Sequence, residues 1–407
     1  MLSLRGFLAP IRAHPQLLPL MLLVALVMSG SGIVSPILSL YAQSFSVGTT
    51  MVGMIITTFG IGRLIADFPA GVLSQRFGRK PLLCAGSAFV VVGAVGAALV
   101  DSFTALLVCR LVQGIGSGIY MTTLAAAMAD LSKAGERGRV MALYQAALLL
   151  GSGIGPAIGG WLADAFGYTA PFWAYALAAA AALIVAWRSV DNPVAKSETQ
   201  SEHGHAAMLG LLRNTAFLLL CLVNFGVFFT RTASQSQLIP LLGHDGFAMS
   251  VGLIGLALTV TSVANFLMLP ITGALVDRFG ARDIVVSATI ANGLALALVA
   301  LAPTRVWFFS GMAVLGVAAG LNGPAVAAHA ADIMPRHLYG PAIGLQRAFG
   351  DAGFVLGPIM VGLLDDFGSV GYAGGILFNA AWVLASALAF WIYVRGAARK
   401  EAATPAD

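Results

Sequence analysis

Charged side chains are scarce in this sequence: they make up 10% of the 407 residues, whereas 59% of the residues are hydrophobic. A soluble domain usually carries about 25% charged residues, so this composition excludes an ordinary soluble protein. Apolar segments of about 20 residues are long enough to cross the hydrocarbon core of a bilayer as helices. The composition therefore predicts an integral membrane protein, embedded in the lipid bilayer.

Cysteine is also rare, with three residues that all lie inside apolar runs. Three dispersed cysteines provide neither a disulfide framework nor the spacing of metal ligands, so we interpret them as small buried side chains. His203 and His205 lie in a polar segment without a third ligand, and we interpret them as solvated. We expect no metal site and no cofactor.

The apolar residues are concentrated in twelve runs that lack the apolar/polar alternation of transmembrane strands. The predicted helical spans are 17–41, 50–74, 82–100, 104–129, 140–163, 170–187, 215–241, 251–275, 284–302, 306–331, 341–363 and 371–394. The first run is long and is not followed by a small-residue cleavage site, so we expect it to be a retained span and not a signal peptide.

One loop motif occurs twice, and it indicates an internal duplication. The first copy, from Gly71 to Lys80, and the second, from Gly273 to Arg282, are 202 residues apart (273 − 71 = 202). The same offset relates Asp130 to Asp332, Gly151 to Gly353 and Gly155-Pro156 to Gly357-Pro358. We predict an all-α membrane protein with twelve transmembrane helices in two six-helix bundles: 1–187, a cytoplasmic linker at 188–213, and 214–407.

The Lys and Arg residues of the loops lie on the side that carries both termini, and Arg305 is the exception on the other side. Because short cytoplasmic loops are enriched in Lys and Arg, we expect both termini to be cytoplasmic and the protein to span the inner cell membrane. The charges alternate from loop to loop and form no basic patch, so we expect no nucleic-acid partner. We expect a monomer.

Three motifs resemble signatures of the major facilitator superfamily. The Gly71–Lys80 loop is similar to the superfamily's loop between its second and third spans, and the stretch Leu107 to Gly118 is similar to its fourth-span motif. The stretch Gly151-Ser-Gly153-Ile-Gly155-Pro156-Ala-Ile-Gly159-Gly160 is similar to the fifth-span motif of the drug:proton antiporter branch. The resemblance implies two bundles around a central cavity and transport by alternating access.

We predict that gating residues lie in the repeated loops and in the two Gly-Pro elements. Small residues allow close helix packing in lipid, and proline bends a helix. In the superfamily the acidic fifth residue of the loop motif is implicated in latching the outward-open state; the first copy has Gln75 there, and Asp67 is the nearest alternative acid. The gating candidates are Gly71, Gln75, Arg76, Gly78, Arg79, Asp277, Arg278, Gly155, Pro156, Gly357 and Pro358.

Ionisable residues inside membrane spans are candidates for function because they are costly there. We predict that Asp351, Arg110 and Asp67 take part in proton coupling. Asp351 is the first choice because it lies near the middle of its run, whereas Asp67 is close to the cytoplasmic end. The alternative is that the i,i+4 pairs Arg63/Asp67 and Arg347/Asp351 only neutralise each other.

Arg110 has two interpretations. It can be a structural residue that donates to neighbouring carbonyls, as an embedded Arg must find polar partners. The resemblance implies the other interpretation, because the Arg of the superfamily's fourth-span motif is implicated in proton coupling.

A polar segment from Thr230 to Gln237 in the seventh run predicts a solute-contacting surface. Arginine there can donate to an anionic or carbonyl-bearing solute, although Arg231 can instead extend to the outer surface. The uncharged polar residues that we predict to bind solute, named in the next sentence, can instead serve only in helix packing. The predicted substrate-binding residues are Arg231, Arg347, Asn224, Gln235, Tyr120, Asn322 and Gln346.

The embedded charges are four Arg and two Asp, a cationic excess that favours anionic, zwitterionic or neutral solutes over organic cations. No phosphate-binding Gly-x-x-x-x-Gly-Lys-Ser/Thr motif is present, and nothing indicates covalent catalysis, so we expect a transporter and not an enzyme. We predict a proton-coupled exporter of small organic molecules or drugs. The alternatives are a proton symporter or uniporter that imports an organic anion, and a sensor that does not transport.

Overall fold

The computed structural model describes residues 14–131, 137–190, 211–212, 214–334 and 339–403. Most of the predicted linker, 191–210 together with Arg213, lies outside the described residues. The prediction of a linker at 188–213 therefore stays a prediction.

All of the described secondary structure is helical. The first half contains α1 Leu17–Val34, α2 Leu38–Gln43, α3 Thr49–Phe77, α4 Arg79–Leu99, α5 Phe103–Asp130, α6 Arg137–Phe166 and α7 Ala170–Ser189. The second half contains α8 Thr215–Phe229, α9 Val251–Phe279, α10 Ala281–Ala300, α11 Arg305–Ile333, α12 Tyr339–Gly368 and α13 Gly371–Ala403. Twelve helices are long and apolar enough to cross a membrane, which confirms the predicted number.

Two of the predicted spans differ from a simple α-helix. The first ends at Val34 and resumes as the short α2, since Pro36 has no backbone N–H for a continuing helix. The seventh continues beyond α8 as a π-helix, Thr230–Leu238, then one α-helical turn, Ile239–Leu241, and a second π-helix, Leu242–Gly246. The helical spans predicted at 17–41 and 215–241 are present, but their interruption and their π-helical segments were not predicted, because apolar composition does not report helix type.

The described residues form two compact units, and one helix of each half is shared between them. The first unit takes its residues from Met1–Val47, Met54–Glu198 and Ala248–Thr259. The second takes its residues from Gly48–Gly53, Thr199–Phe247 and Val260–Asp407. The first turn of α3 thus belongs to the second unit, and the beginning of α9 belongs to the first.

The packing scheme of the first unit recurs in the second. In the first unit α1 packs on α6 and α7, and α4 packs on α5 and α7. In the second unit α8 packs on α12 and α13, and α10 packs on α11 and α13. Apolar side chains fill each unit, with Leu23, Tyr120 and Leu124 in the first core and Val285 and Phe390 in the second.

The backbone at the helix junctions repeats in the same way. Among the described residues, six that have positive φ form three pairs, each 202 residues apart: Ser46 and Ala248, Gly78 and Gly280, and Gly167 and Ser369. At Gly78, φ is 90° and the chain turns from α3 into α4; a side chain would be strained there. The duplication seen in the sequence therefore extends to the geometry of the turns.

Candidate transport and gating sites

The first copy of the loop motif holds a buried arginine between two helices. Arg79 Nε donates to Asp130 Oδ2 at 2.9 Å, and Arg79 also donates to Ser74 Oγ. The Arg79 side chain is 8% exposed and the Asp130 side chain 47%. The pair joins the C-terminal ends of α3 and α5 to the N-terminal end of α4. Arg76 and Gln75 are exposed, and Arg76 lies over the Phe77 ring.

The second copy of the motif lacks this buried arginine. Ala281 stands at the position equivalent to Arg79, while Arg278 is exposed over the Phe279 ring at 5.1 Å. Asp277 is also exposed. Arg282 makes a local ion pair with Asp283 at 3.6 Å. The first copy therefore has the buried Arg79–Asp130 ion pair but Gln75 in place of the acidic fifth residue. The second copy has the acidic residue, Asp277, but no arginine at the position of Arg79.

Asp67, the predicted alternative acid, contacts α5. Its Oδ1 accepts from Thr122 Oγ1 at 2.8 Å, and its Oδ2 lies 3.7 Å from Arg63 Nε. The i,i+4 interaction expected of Arg63 and Asp67 is thus present. Gly71 lies one turn further along α3, where an added Cβ would just reach the Thr122 methyl group at 4.0 Å.

Arg110 is buried among uncharged partners. Its Nη1 donates to Gln113 Oε1 at 2.6 Å, its Nε is 3.5 Å from the Ile55 carbonyl, and its guanidinium lies 4.5 Å from the centre of the Phe59 ring. Among the described residues, no carboxylate forms an ion pair with Arg110. These contacts are what the structural interpretation of Arg110 requires, and its role in proton coupling stays a prediction.

The glycines of the fifth-span motif bring α6 into backbone contact with α1. A Cβ on Gly151 would lie 2.7 Å from the Ala25 carbonyl oxygen, and one on Gly155 would lie 2.7 Å from Gly32 Cα. Side chains at these positions would force the helices apart. Pro156 lies inside α6, and the next backbone N–H donates to Thr259 Oγ1 at 3.0 Å.

The equivalent glycines of the second half bring α12 close to α8. A Cβ on Gly353 would lie 2.4 Å from the Phe225 carbonyl oxygen, and one on Gly357 would lie 3.0 Å from the Phe229 ring. Pro358 is likewise inside its helix. The repeated Gly-Pro elements thus occupy equivalent helix contacts in the two units.

Two of the predicted solute-contacting residues meet in the second unit. Asn224 Nδ2 on α8 donates to the Gln346 carbonyl on α12 at 2.8 Å, and the buried Gln346 Nε2 has no partner among the described residues. Asn322 instead faces α10, where its Nδ2 is 3.2 Å from Thr289 Oγ1. Tyr120 is fully buried in the core of the first unit, a position that fits helix packing.

The remaining predicted site residues lie on more accessible faces of the second unit. Arg231 and Arg347 are exposed, and Gln235 and Asp351 are half-buried. Asp351 lies near the middle of α12, as its place in the sequence indicated.

Two polar features were not predicted from the sequence. One is Asn379, a fully buried residue of α13 that contacts the π-helix of the seventh span. The other is Asp366, whose carboxylate accepts from the backbone amides of Thr49 and Thr50 at 2.9 Å. In the sequence, Asn379 is visible only as a single polar residue inside an apolar run, and Asp366 only as an acidic residue at the end of a span.

Twelve membrane-spanning helices in two units with one packing scheme define a polytopic transport protein. The sequence matches the model of the Major Facilitator Superfamily over residues 20–252 and 221–407. The chain belongs to this superfamily of membrane transporters, which confirms the resemblance inferred from its motifs.

Relatives and solved structures agree with this assignment. Multidrug resistance protein 1 of Bacillus subtilis (strain 168) is 26% identical over 368 residues, 87% of this chain and 92% of that protein. The 3-(3-hydroxy-phenyl)propionate transporter of Escherichia coli (strain K12) is 26% identical over 358 residues, 86% of each chain. The crystal structure of the nucleoside transporter NupG has a TM-score of 0.75 at 17% identity and covers 93% of this chain and 98% of that one. The predicted all-helical transporter fold is confirmed.

Proposed function

We propose that this transporter exports small organic molecules in exchange for protons, by alternating access. The observation that carries the proposal is the backbone contact of α6 with α1 through Gly151 and Gly155. This contact is built from the motif that resembles the antiporter signature. The relative named Multidrug resistance protein 1, which aligns over 87% of the chain, supports export as the direction.

In this proposal Asp351 carries the proton. It lies near the middle of α12, the depth at which transporters of this kind bind ions and solutes. Arg110 and Asp67 support coupling from the first unit. Both already have polar partners there, Arg110 the side chain of Gln113 and Asp67 the hydroxyl of Thr122.

We propose an anionic, zwitterionic or carbonyl-bearing solute that contacts Arg231. Its exposed guanidinium offers donors in a fixed planar arrangement that suits carboxylates. Gln235 lies four residues further along the same helix and is half-buried. The spans contain four Arg and two Asp. Because cationic residues are in excess, the interior has no surplus of carboxylates that would attract organic cations.

Proton-coupled import or uniport of an organic anion is the second candidate. The same cationic excess favours it, and a relative is named as a 3-(3-hydroxy-phenyl)propionate transporter. We further propose that the protein is a monomer in the inner membrane with both termini in the cytoplasm.

Solute-induced pH change in proteoliposomes distinguishes these mechanisms. Purified protein is reconstituted with a pH-sensitive dye in the lumen, and ethidium, 3-hydroxyphenylpropionate or a nucleoside is added outside without any imposed gradient. Exchange for protons makes the lumen more alkaline, symport makes it more acidic, and uniport leaves its pH unchanged. Protein-free liposomes correct for passive entry of a weak acid. Acidification that depends on the protein contradicts the proposed export mechanism.

A further inference from the structure

The seventh span contains an unusual conformation that needs an explanation. Its residues Thr230–Leu238 form a π-helix of nine residues. Such helices are rare, usually occur as a single turn and are frequent at functional sites. A segment of this length therefore requires contacts from outside the helix that favour the wider turn.

Asn379 of α13 provides such a contact. Its Nδ2 lies 2.6 Å from Ser234 Oγ and 3.2 Å from Thr230 Oγ1, and its Oδ1 lies 3.4 Å from the same Thr230 hydroxyl. All three residues are buried, Asn379 and Ser234 completely. A buried amide inside a membrane protein is costly unless its hydrogen bonds are made, so this cluster holds the π-helix in a defined rotation.

The width of the helix decides which side chains share the face of Arg231. Nine residues make about 2.5 turns of α-helix but only about two turns of π-helix, so the two forms differ by about half a turn at the end of the segment. Gln235 lies beside Arg231 in either form. In the π form Ser236 also lies beside Arg231 and Leu238 lies on the opposite side, whereas an α-helix would place Leu238 beside Arg231 and turn Ser236 away. The structure has this arrangement: Gln235 and Ser236 are half-buried, whereas Leu238 is fully buried.

The other half of the protein offers an internal comparison. There the equivalent span, α1, remains α-helical until Val34. The buried faces of α7 and α13 match at an offset of 204, as Ala179 and Val383 show, and this offset places the buried Tyr175 at the position of Asn379 (379 − 175 = 204). The half without the amide thus has the ordinary helix, and the half with the amide has the wide one.

We propose that Asn379 is a positioning residue that holds Thr230–Leu238 in the π form and thereby places Ser236, and not Leu238, on the face that Arg231 shares with Gln235. This inference builds on the proposed solute contact at Arg231, but it concerns the conformation of the span and does not depend on which solute is carried.

Thiol reactivity at two positions tests the proposal without any transport assay. In a background in which Cys84, Cys109 and Cys221 are replaced by Ala, single Ser236→Cys and Leu238→Cys variants are treated with N-ethylmaleimide. With Asn379 present, the ratio of the modification rate at 236 to that at 238 is expected to exceed one. With Asn379→Leu the span relaxes toward an α-helix, 238 turns to the face of Arg231, and the ratio is expected to fall below one.

Two further variants separate this effect from general destabilisation. Asn292→Leu makes the same chemical change at another buried position, on α10, and should leave the ratio above one. Thr230→Val combined with Ser234→Ala keeps Asn379 but removes its partners, and should lower the ratio as Asn379→Leu does. A ratio above one in both Asn379→Leu and the Thr230/Ser234 double variant overturns the proposal.

Discussion

Asp164 and Asp366 are 202 residues apart, and each carboxylate accepts hydrogen bonds from the first two backbone amides of a helix. Asp164 accepts from Val251 and Gly252 of α9 at 3.0 and 2.8 Å. Asp366 accepts from the equivalent positions of α3, both at 2.9 Å. Because the N-terminus of a helix carries partial positive charge and unsatisfied N–H groups, the duplication has preserved a matched pair of charged caps.

Removal of one charge from this pair should weaken the contact of α12 with the beginning of α3. Asp366→Asn keeps the size of the side chain but loses its charge and one acceptor oxygen, so we expect a loss of about 1 kcal/mol in the free energy of unfolding. The midpoint of thermal unfolding in detergent, measured by intrinsic fluorescence, should fall by about 1–2 °C.

Asp283→Asn is the comparison variant, since Asp283 is exposed in the first turn of α10 and its ion pair in the described chain is with its neighbour Arg282. We expect it to lose less than about 0.5 kcal/mol, as at an exposed position, and to lower the midpoint less than Asp366→Asn does. Asp164→Asn should lower the midpoint as Asp366→Asn does. An unchanged midpoint in both cap variants contradicts the stabilising role of the pair.

The buried Arg79 should matter more than the exposed Arg76, although both belong to the loop motif. Arg79→Gln removes the bond to Asp130 and leaves Ser74 without its donor. We expect a loss of about 1–3 kcal/mol, as for a hydrogen bond to a charged group, against less than about 0.5 kcal/mol for Arg76→Gln at an exposed position. Thermal unfolding of the two variants in parallel measures the difference, and equal midpoints would contradict it.

Much of this fold follows from the sequence because lipid permits few backbone structures. The apolar runs fix the number of spans, and Gly78 and Gly280 mark turns that only glycine adopts without strain. The π-helix after Phe229 does not follow, since hydropathy is the same for π- and α-helices. It depends on Asn379, which is 149 residues away from Thr230 in the sequence.

Charge restoration in the first loop motif should change the balance between transport states. The superfamily resemblance associates the acid at this position with the outward-open state, and Gln75 is exposed at the end of α3. We therefore expect Gln75→Asp to increase the outward-open population. Distances between spin labels on the two halves, measured by pulsed electron resonance, report the populations; Gln75→Glu should act in the same direction, and Gln75→Ala should not. Identical distance distributions in the parent and Gln75→Asp contradict the expectation.

Arg231 should set the charge preference of the solute site. Arg231→Gln keeps hydrogen-bonding capacity but loses the cation, so a carboxylate solute should bind at least about tenfold more weakly, as a charge-assisted bond is worth about 1.5–3 kcal/mol. A neutral solute should be affected much less. Ligand-induced thermal shifts at increasing solute concentration give the two affinities. If lipophilic cations alone bind the parent protein, the charge argument is wrong.

The candidate site follows from the sequence less completely than the fold. The positions of Arg110 and Asp67 within their spans were evident, but their partners Gln113 and Thr122 required the structure, because each pairing depends on the rotation of a helix. Tyr120 shows why packing matters: its hydroxyl suggested a solute contact, and the structure buries the ring fully in a core, so its role in solute binding stays a prediction. A polar side chain inside a span predicts that it has a hydrogen-bond partner. Whether this partner belongs to the protein or to the solute depends on how the helices pack.

Proton-driven accumulation in proteoliposomes tests proton exchange through Asp351 most directly. With an acidic lumen and an alkaline exterior, the parent protein should concentrate a transported solute inside as protons leave. Asp351→Asn should abolish this accumulation while retaining exchange of labelled for unlabelled solute at equal pH, and Asp283→Asn should behave as the parent. Loss of solute from the acidic lumen together with protons contradicts antiport, and normal accumulation by Asp351→Asn contradicts the role of Asp351.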